Sequence, residues 1–462
     1  MSQRQASLHR GLEERHVSLM ALGTAIGVGL FLGSGSAITT AGPAILLSYT
    51  FAGVAIFIIM RALGEMAITN PVAGSFSRYA QDYLGPLTGY LTGWTYWLTA
   101  LVGSMCEITA AGVYMHIWFP HVPTWIWTLA ALASVTSVNF IAVRAYGEFE
   151  FWFALIKVVT IVLMIVAGAG MIVFGIGNGG IATGISNLWS HGGFMPNGIV
   201  GVLKALPMVM FAYQGIEMLG ITAGEARNPE KTLARAVNSV FWRVLIFYVG
   251  ALFVIMSIYP WNQIGTQGSP FVLTFDRLGI HSAAGIINFV VLTAALSSCN
   301  SNLYGTSRLL YNLALQKQAP AMFARISGNG IPAIALTFSC ACSLLGVLLN
   351  YVSPKHVFVW LTAVSTFGAL WTWGVILVSH YRFRKTLSAA DIAKLPCRVP
   401  FFPSTNVAAL VFLLVVVTLM AAFPATRIAV IVGPLWIALV TCVFFMTKAQ
   451  RMPTPLGASP LD

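Results

Sequence analysis

Charge is scarce in this chain. Only 8% of its 462 residues are Asp, Glu, Lys or Arg, against roughly 25% in an ordinary globular chain. A soluble fold of this length cannot cover its surface with so few charges, which excludes a soluble enzyme. A disordered scaffold needs the opposite composition. Acidic residues are rarest, 13 against 25 Lys and Arg. Cysteine is sparse too, with six in the chain. Cys106, Cys299, Cys340, Cys342 and Cys442 fall in apolar runs and Cys397 in a loop, and Cys340 and Cys342, two apart, face different sides of a helix. They read as free buried thiols rather than a disulfide framework. Neither HExxH nor a Walker A motif occurs, and the eight histidines are scattered. No catalytic constellation, metal site or cofactor is expected, so the chain does not read as an enzyme. The polar, basic N-terminus and the long, Gly-rich first apolar run do not read as a signal peptide.

What is present in abundance is apolar surface: 58% hydrophobic residues, with 43 Gly and 13 Trp, which suits closely packed membrane helices with interfacial anchors. A span needs about 20 mostly apolar residues. Twelve are expected, at about 17–40, 42–64, 86–117, 123–143, 150–174, 198–224, 240–259, 282–312, 331–351, 356–381, 405–423 and 427–447, with polar stretches at 60–85, 175–197, 225–239, 260–281, 313–330 and 382–404. With the N-terminus inside, 20 of the 25 Lys and Arg fall on cytoplasmic pieces and three (Arg277, Lys355 and Arg427) outside, Lys157 and Lys204 lying within spans. That split is a positive-inside signal with both termini cytoplasmic. The net charge of +12 is therefore topological, and no nucleic-acid footprint is seen.

Two spans look interrupted. Span 1 holds GTAIGVG, Gly23 to Gly29, near the midplane. A glycine inside a helix costs about 1 kcal/mol, so a cluster at that depth suggests an unwound segment, although glycines that only pack helices read similarly. Span 6 holds Pro207 and then FAYQGIE, Phe211 to Glu217. Breaks at matching places in two halves point to a transporter built from inverted repeats with a midplane site. The halves would be spans 1–5 and 6–10. At a break, N–H groups lose their intrahelical partners and the following half-helix presents a positive dipole end that suits an anion. Freed carbonyls suit an ammonium group. A carboxylate and an ammonium together are the common part of an amino acid, whose side chain would read out against spans 3, 6, 8 and 10.

Several long motifs make the chain similar to one family. They are RGLEERHVSLMALGTAIGVGLFLGSG (10–35), AGP with IMRALGEM (41–66), GEFEFWFALIKVVTIV (147–162), FAYQGIEMLGITAGEARNPEKTLARAVN (211–238) and LSSCNSNLYGTSRLLYNLA (296–314). From about residue 8 to 450 the chain resembles the bacterial amino acid transporter family of the amino acid–polyamine–organocation superfamily, closest to permeases for proline, histidine, or threonine and serine. The resemblance implies an all-α integral membrane protein of 12 transmembrane helices in a LeuT-type fold. Its parts would be an N-terminal tail (1–16), a first repeat (17–174), a periplasmic loop (175–197), a second repeat (198–381), a cytoplasmic loop (382–404), two extra helices (405–447) and a C-terminal tail (448–462). It implies import of L-amino acids driven by protons across the bacterial inner membrane, by a single bundle or a homodimer. It also implies that Gly27, Val28 and Gly29 offer N–H groups to the substrate carboxylate. Thr24 and Ala25, with carbonyls of Phe211, Ala212 and Gln214, would take its ammonium, and Phe211 would stand as an aromatic gate. Gln214 departs from the apolar residue of some relatives and suits a polar side chain.

Ionisable groups inside a bilayer default to functional hypotheses. Lys157, the only charge in its span, stands where sodium-coupled cousins of the family hold an ion, which suggests proton coupling; the bland alternative is a structural or snorkelling cation. Glu107 in span 3 is expected to line the pocket or carry the proton, or else to be a structural partner for a lysine. Glu217, a turn after the second break, would hold the unwound geometry or titrate. Lys204 is expected to snorkel. Ser297, Ser298, Asn300, Ser301 and Asn302 form a polar run that resembles a sodium site in cousins, so sodium coupling stays open, against plain interhelical hydrogen bonding. Ser104, Trp371 and Trp373 are weaker pocket candidates. Pairs among Arg15, Glu225, Glu230 and Arg235 would form an inner gate. Lacking an ATP site, uphill transport must use an ion gradient. One charge falling through about 100 mV supplies about 2.3 kcal/mol, so one proton at about 150 mV supports a few-hundredfold accumulation. An exchanger on the same fold is the first competing reading. A nutrient sensor is the second, disfavoured because tails as short as 1–16 and 448–462 leave no signalling domain.

Overall fold

The computed structural model describes residues 26–70, 75–141, 143–218, 229–264, 269–277, 281–327, 330–395 and 397–447. Among them every regular element is helical. A π turn over Gly29–Gly33 leads into α1 (Ser34–Ala41), followed by α2 (Ile45–Thr69), α3 (Ser75–Leu84), α4 (Pro86–Trp118), α5 (Thr124–Ile141), α6 (Val143–Phe174) and α7 (Gly198–Ala212). Then come α8 (Pro229–Arg243), a second π turn (Val244–Gly250), α9 (Ala251–Ile258), α10 (Pro270–Arg277), α11 (His281–Leu315), α12 (Ala333–Val352), α13 (Val357–Thr386), α14 (Ala389–Lys394), α15 (Ser404–Ala422) and α16 (Arg427–Met446). Nine helical stretches among the described residues are long and apolar enough to cross a bilayer, and Gly198–Ala212 is a shorter apolar helix. Their outward faces are apolar rather than charged: Val411, Leu414, Leu435 and Leu439 are all exposed. Helices that are apolar all round belong in lipid.

The stretch Gly29–Thr69 counts as one run of 41 residues, about 60 Å if straight and twice the hydrocarbon thickness. It is folded in two. Along α7, Gly29 lies against Ala212, Gly33 against Met208, and Gly201 against Thr40 and Ala41. The return strand of the hairpin follows the same helix in the opposite order, Ser48 donating to the Val202 carbonyl and Tyr213 to that of Tyr49. The reversal is at Gly42, whose φ of 65° is left-handed, where glycine is favoured. Pro43 then opens a 3₁₀ turn over Gly42–Ala44.

α4 is the central post, packed against α3, α5, α11, α12 and α13. Its start is set by Gly85 with φ 102° and Pro86 at the first helical position, where the missing N–H is no loss. The core runs continuously through all the long helices.

Several helix ends differ from those expected, and two of them matter here. α2 continues past residue 64 to Thr69, and α13 past 381 to Thr386. The extra turns carry charges that answer one another. Glu65 is fully buried, and its Oε2 accepts from Arg384 Nε at 2.6 Å and lies 2.7 Å from His380 Nε2. Its Oε1 accepts from Arg384 Nη2 at 2.8 Å and from the Val399 N–H. His380 Nδ1 faces Asn406 Oδ1 at 3.2 Å, while Asn406 donates to the Leu377 carbonyl. One turn before Glu65, Arg61 donates to the Arg398 carbonyl and to Asn238 Oδ1, each at 2.7 Å. The RALGE stretch of α2 thus clamps the single peptide group that joins Arg398 to Val399, donating to its carbonyl and accepting from its N–H.

Removing one partner of a buried ion cluster leaves uncompensated charge, at a typical cost of about 3–5 kcal/mol. Glu65→Gln is expected to lower unfolding free energy in detergent by about that much. Arg78→Ala, which removes the half-exposed Arg78–Asp82 pair, is expected to stay within about 1 kcal/mol of the parent. Equal denaturation midpoints for the two variants would contradict the assignment.

Candidate functional site

The second expected break is present. α7 stops at Ala212 and residues 213–217 form an open turn, with Gly215 at φ 96°. Pro207 inside α7 removes one ladder donor. The turn is stabilised locally: Tyr213 N–H bonds Met210 O at 3.2 Å, Gln214 N–H bonds Phe211 O at 3.0 Å, and Met218 N–H bonds Gly215 O at 3.1 Å. Gly215 N–H is captured by both Glu217 oxygens at 3.2 Å. Trp373 Nε1 donates to the same carboxylate at 3.2 Å. Glu217 therefore holds the open turn, one of the two roles expected of it.

The first break is described from Ile26 onward. Ile26 and Gly27 are non-helical, and Gly27 O accepts from Leu30 N at 3.1 Å and Phe31 N at 3.3 Å. Thr24 and Ala25 lie outside the described residues. The two breaks meet directly. A Cβ on Gly29 would come within 2.6 Å of the Ala212 Cα and 3.1 Å of its nitrogen, so only glycine lets these backbones touch.

A cavity of ≈ 50 Å³ opens between the breaks, several times the ~10–15 Å³ that one water needs. Gly27 and Gly29 line it from the first break, and Phe211, Ala212, Gln214, Gly215 and Glu217 from the second. α4 contributes Tyr96, Ala100, Gly103 and Glu107, and α11 contributes Ser298, Ser301 and Asn302. The α4 residues recur at three to four positions, one face of a helix. Ser104 is a hundred degrees off that face; it is buried, donates to the Ala100 carbonyl within its own helix, and stays out of the cavity. Ser297 does not line it either, and Asn300 is used by Asn139 at 2.6 Å. Trp371 packs on the far side of α13, beside Tyr90 and Val440.

Two of the charges are dry, those of Lys157 and Glu107. Lys157 on α6 is 1% exposed, so it does not snorkel, and its Nζ donates to Ser298 Oγ at 3.2 Å. Lys204 is exposed and lies over the Phe423 ring at 5.3 Å. Glu107 is buried; its Oε1 would sit 2.9 Å from a Cβ on Gly27, and its Oε2 has no hydrogen-bond partner among the described residues. The charge of Lys157 acts on this carboxylate. Of the three residues expected to offer N–H groups to a ligand, Gly27 and Gly29 line the cavity and Val28 does not. Gln214 Oε1 accepts from Ser365 Oγ at 2.9 Å, which leaves its NH₂ on the side of Gly103, where Asn302 Nδ2 also points, 3.3 Å from where a Cβ would lie. Tyr96, Ala100, Gly103 and Met218 were missed from sequence; an i, i+4, i+7, i+11 count from Glu107 backward along α4 finds the first three. Arg15, Glu225 and the Glu230 side chain lie outside the described residues.

Two helix ends, at Gly27–Gly29 and Ala212–Gly215, meet at a cavity within an apolar helical bundle, the arrangement of a membrane transporter for small molecules. Residues 16–455 match the amino acid permease family model, and the chain belongs to that family. It is similar to the uncharacterized amino acid permease YtnA of Bacillus subtilis (strain 168), 62% identical over 445 residues and 96% of each chain. From the same organism, the probable threonine/serine transporter YbxG is 48% identical over 439 residues, 95% of each chain. The amino-acid permease AapA is 45% identical over 440 residues, again 95% of each. The protein is a multi-pass amino acid permease, a transporter and not an enzyme.

Substituting Gly29→Ala should lower the affinity for a transported amino acid at least tenfold in calorimetric titration of the detergent-solubilised protein, because the added methyl meets backbone. Gly285→Ala, where the nearest neighbour of a Cβ is Trp118 Nε1 at 3.9 Å, should bind as the parent does. A twofold change or less for Gly29→Ala would mean that the contact between the breaks does not shape the site.

Proposed function

We propose that the protein imports a small L-amino acid together with a proton by alternating access. The reading is that of a LeuT-type bundle of 12 helices in the inner membrane with both termini cytoplasmic, its repeats at 17–174 and 198–381. The observation that carries it is the meeting of Gly27–Gly29 and Phe211–Gly215 around one buried cavity. Backbone groups freed at two breaks suit a zwitterion, and supporting the reading, Gly27, Gly29, Glu107, Phe211, Ala212, Gln214 and Glu217 line that cavity.

Three observations bear on the side chain. The cavity is about a third of the 150 Å³ that holds benzene in an engineered core, which favours a short substrate. The amides of Gln214 and Asn302 beside Gly103 favour a polar one. The relative at 48% identity carries the name of a threonine/serine transporter. Together they move serine and threonine ahead of histidine and proline, which the sequence resemblance ranked first.

For coupling, Lys157 is the candidate. It is buried, faces Ser298 and acts on Glu107, so one proton more or less changes the balance of charge beside the cavity. A buried lysine is a group that loads and releases protons readily. A transporter that merely exchanges amino acids has no use for that step.

Uptake of labelled threonine, serine, proline and histidine into proteoliposomes, with an inward proton gradient, tests the reading. Accumulation should collapse with a protonophore, with threonine or serine ranking first. Lys157→Met should abolish uphill accumulation while sparing exchange into preloaded vesicles. Uptake only into preloaded vesicles by the parent protein would establish an exchanger instead.

A further inference from the structure

Interrupting α7 frees a carbonyl as well as N–H groups. The N–H of Gly215 goes to Glu217. The carbonyl of Ala212, the last residue of the helix, goes elsewhere. Tyr248 Oη donates to it at 3.0 Å. Tyr248 lies in the π turn Val244–Gly250, and such turns are rare and often sit beside functional sites. The next residue of the open turn, Tyr213, reaches the other way and donates its hydroxyl to the Tyr49 carbonyl of α2 at 2.8 Å. Gly53 makes room for it: a Cβ there would lie 3.2 Å from Tyr213 Oη and would collide with Val244.

The three rings form one buried cluster. Tyr213 and Tyr248 centroids are 4.6 Å apart, and each is 5.8 Å from Tyr49. All three side chains are at most 1% exposed. They differ in one respect: the hydroxyls of Tyr213 and Tyr248 each hold a backbone carbonyl, and that of Tyr49 has no hydrogen-bond partner among the described residues. None of the three lines the cavity.

Ala212 is thus gripped from both sides. Gly29 presses on its Cα and nitrogen from the cavity side, and Tyr248 holds its carbonyl from behind. We propose that Tyr248 and Tyr213 are positioning residues for transport, fixing the open turn from its rear so that Ala212 seats the Gly29 backbone at the cavity. The inference rests on the reading of the cavity as the amino acid site. It assigns a role to α2 and to the π turn, neither of which touches the cavity. In a bilayer core, a released carbonyl finds no water to replace the hydroxyl, so the turn must shift to find another donor.

The test compares three isosteric variants of the full-length protein in proteoliposomes: Tyr248→Phe, Tyr213→Phe and Tyr49→Phe. A hydrogen bond is worth about 1 kcal/mol net, about fivefold in an equilibrium constant. Tyr248→Phe and Tyr213→Phe should each raise KM about fivefold or more, with melting temperature kept and Vmax changed less than twofold. Tyr49→Phe, which removes a hydroxyl that bonds nothing, should leave KM within twofold of the parent. A Tyr248→Phe protein with the parent KM overturns the proposal. So does a Tyr49→Phe protein as impaired as Tyr248→Phe, because the ring packing and not the hydroxyl–carbonyl bond would then be what matters. If Tyr248→Phe proves unstable, Tyr213→Phe against Tyr49→Phe decides by the same criterion. Absence of uptake by the parent protein would sink the transport reading itself, an outcome distinct from these.

Discussion

In the hydrocarbon core of a bilayer, water is not there to answer a backbone N–H or C=O, so every such group must find a partner within the protein. This constraint makes the interruption of two helices the organising feature of the structure. Breaking α7 at Ala212 and entering the first helix only after Gly27 leaves groups that an unbroken helix would satisfy. The protein answers some and leaves others at a cavity. Gly215 is answered by Glu217 and Ala212 by Tyr248. Gly27, Gly29, Phe211, Gln214 and Gly215 line the cavity between the two turns. Irregular backbone is tolerated at that depth only where it is buried or lines a cavity, and here both conditions are met by the same few residues.

The buried charges divide along the same line. Around Glu65 every carboxylate oxygen is used, by Arg384, His380 and the Val399 N–H. A fully paired cluster of that kind gives rigidity and register, and it ties α2, α13 and the 398–399 segment together. Around Glu107 one oxygen has no hydrogen-bond partner among the described residues, although the group is also buried. An unpaired buried oxygen is expensive, and its position on the cavity wall is what distinguishes a site from a strut. The same contrast separates Lys157, turned inward onto Ser298, from Lys204, which reaches out over the Phe423 ring.

Much of this was legible in the sequence, for identifiable reasons. Long apolar runs announce helices, glycine clusters announce breaks, and both lie along the chain where a reader can see them. Gly27, Gly29, Phe211 and Gln214 are at the cavity because the glycines and the Pro207–Gly215 stretch mark where helices stop. Ser104 was misplaced by one position, since helical periodicity puts Gly103 and not its neighbour on the face with Glu107. The Glu65–His380–Arg384 cluster escaped notice because its members sit at span edges, where charge usually means solvent, and because its partners are 315 and 319 residues apart. Tyr213 and Tyr248 look like ordinary packing aromatics; that their hydroxyls hold carbonyls is information carried only by three-dimensional contact. The hairpin at Gly42 falls at the boundary between the spans expected at 17–40 and 42–64, where a Gly-Pro pair punctuates the apolar stretch.

The central claim is that backbone at the two breaks holds the carboxylate and ammonium groups common to all amino acids. Competition binding to the purified protein tests it most directly, using the best-transported amino acid as the labelled ligand. Its methyl ester, which lacks the carboxylate charge, and its N-acetyl derivative, which lacks the ammonium, serve as competitors. The account predicts that each loses at least a hundredfold in competing strength relative to the free amino acid, whichever side chain it carries. A methyl ester or N-acetyl derivative that competes as well as the parent amino acid would contradict it, and would place recognition in the side-chain contacts alone.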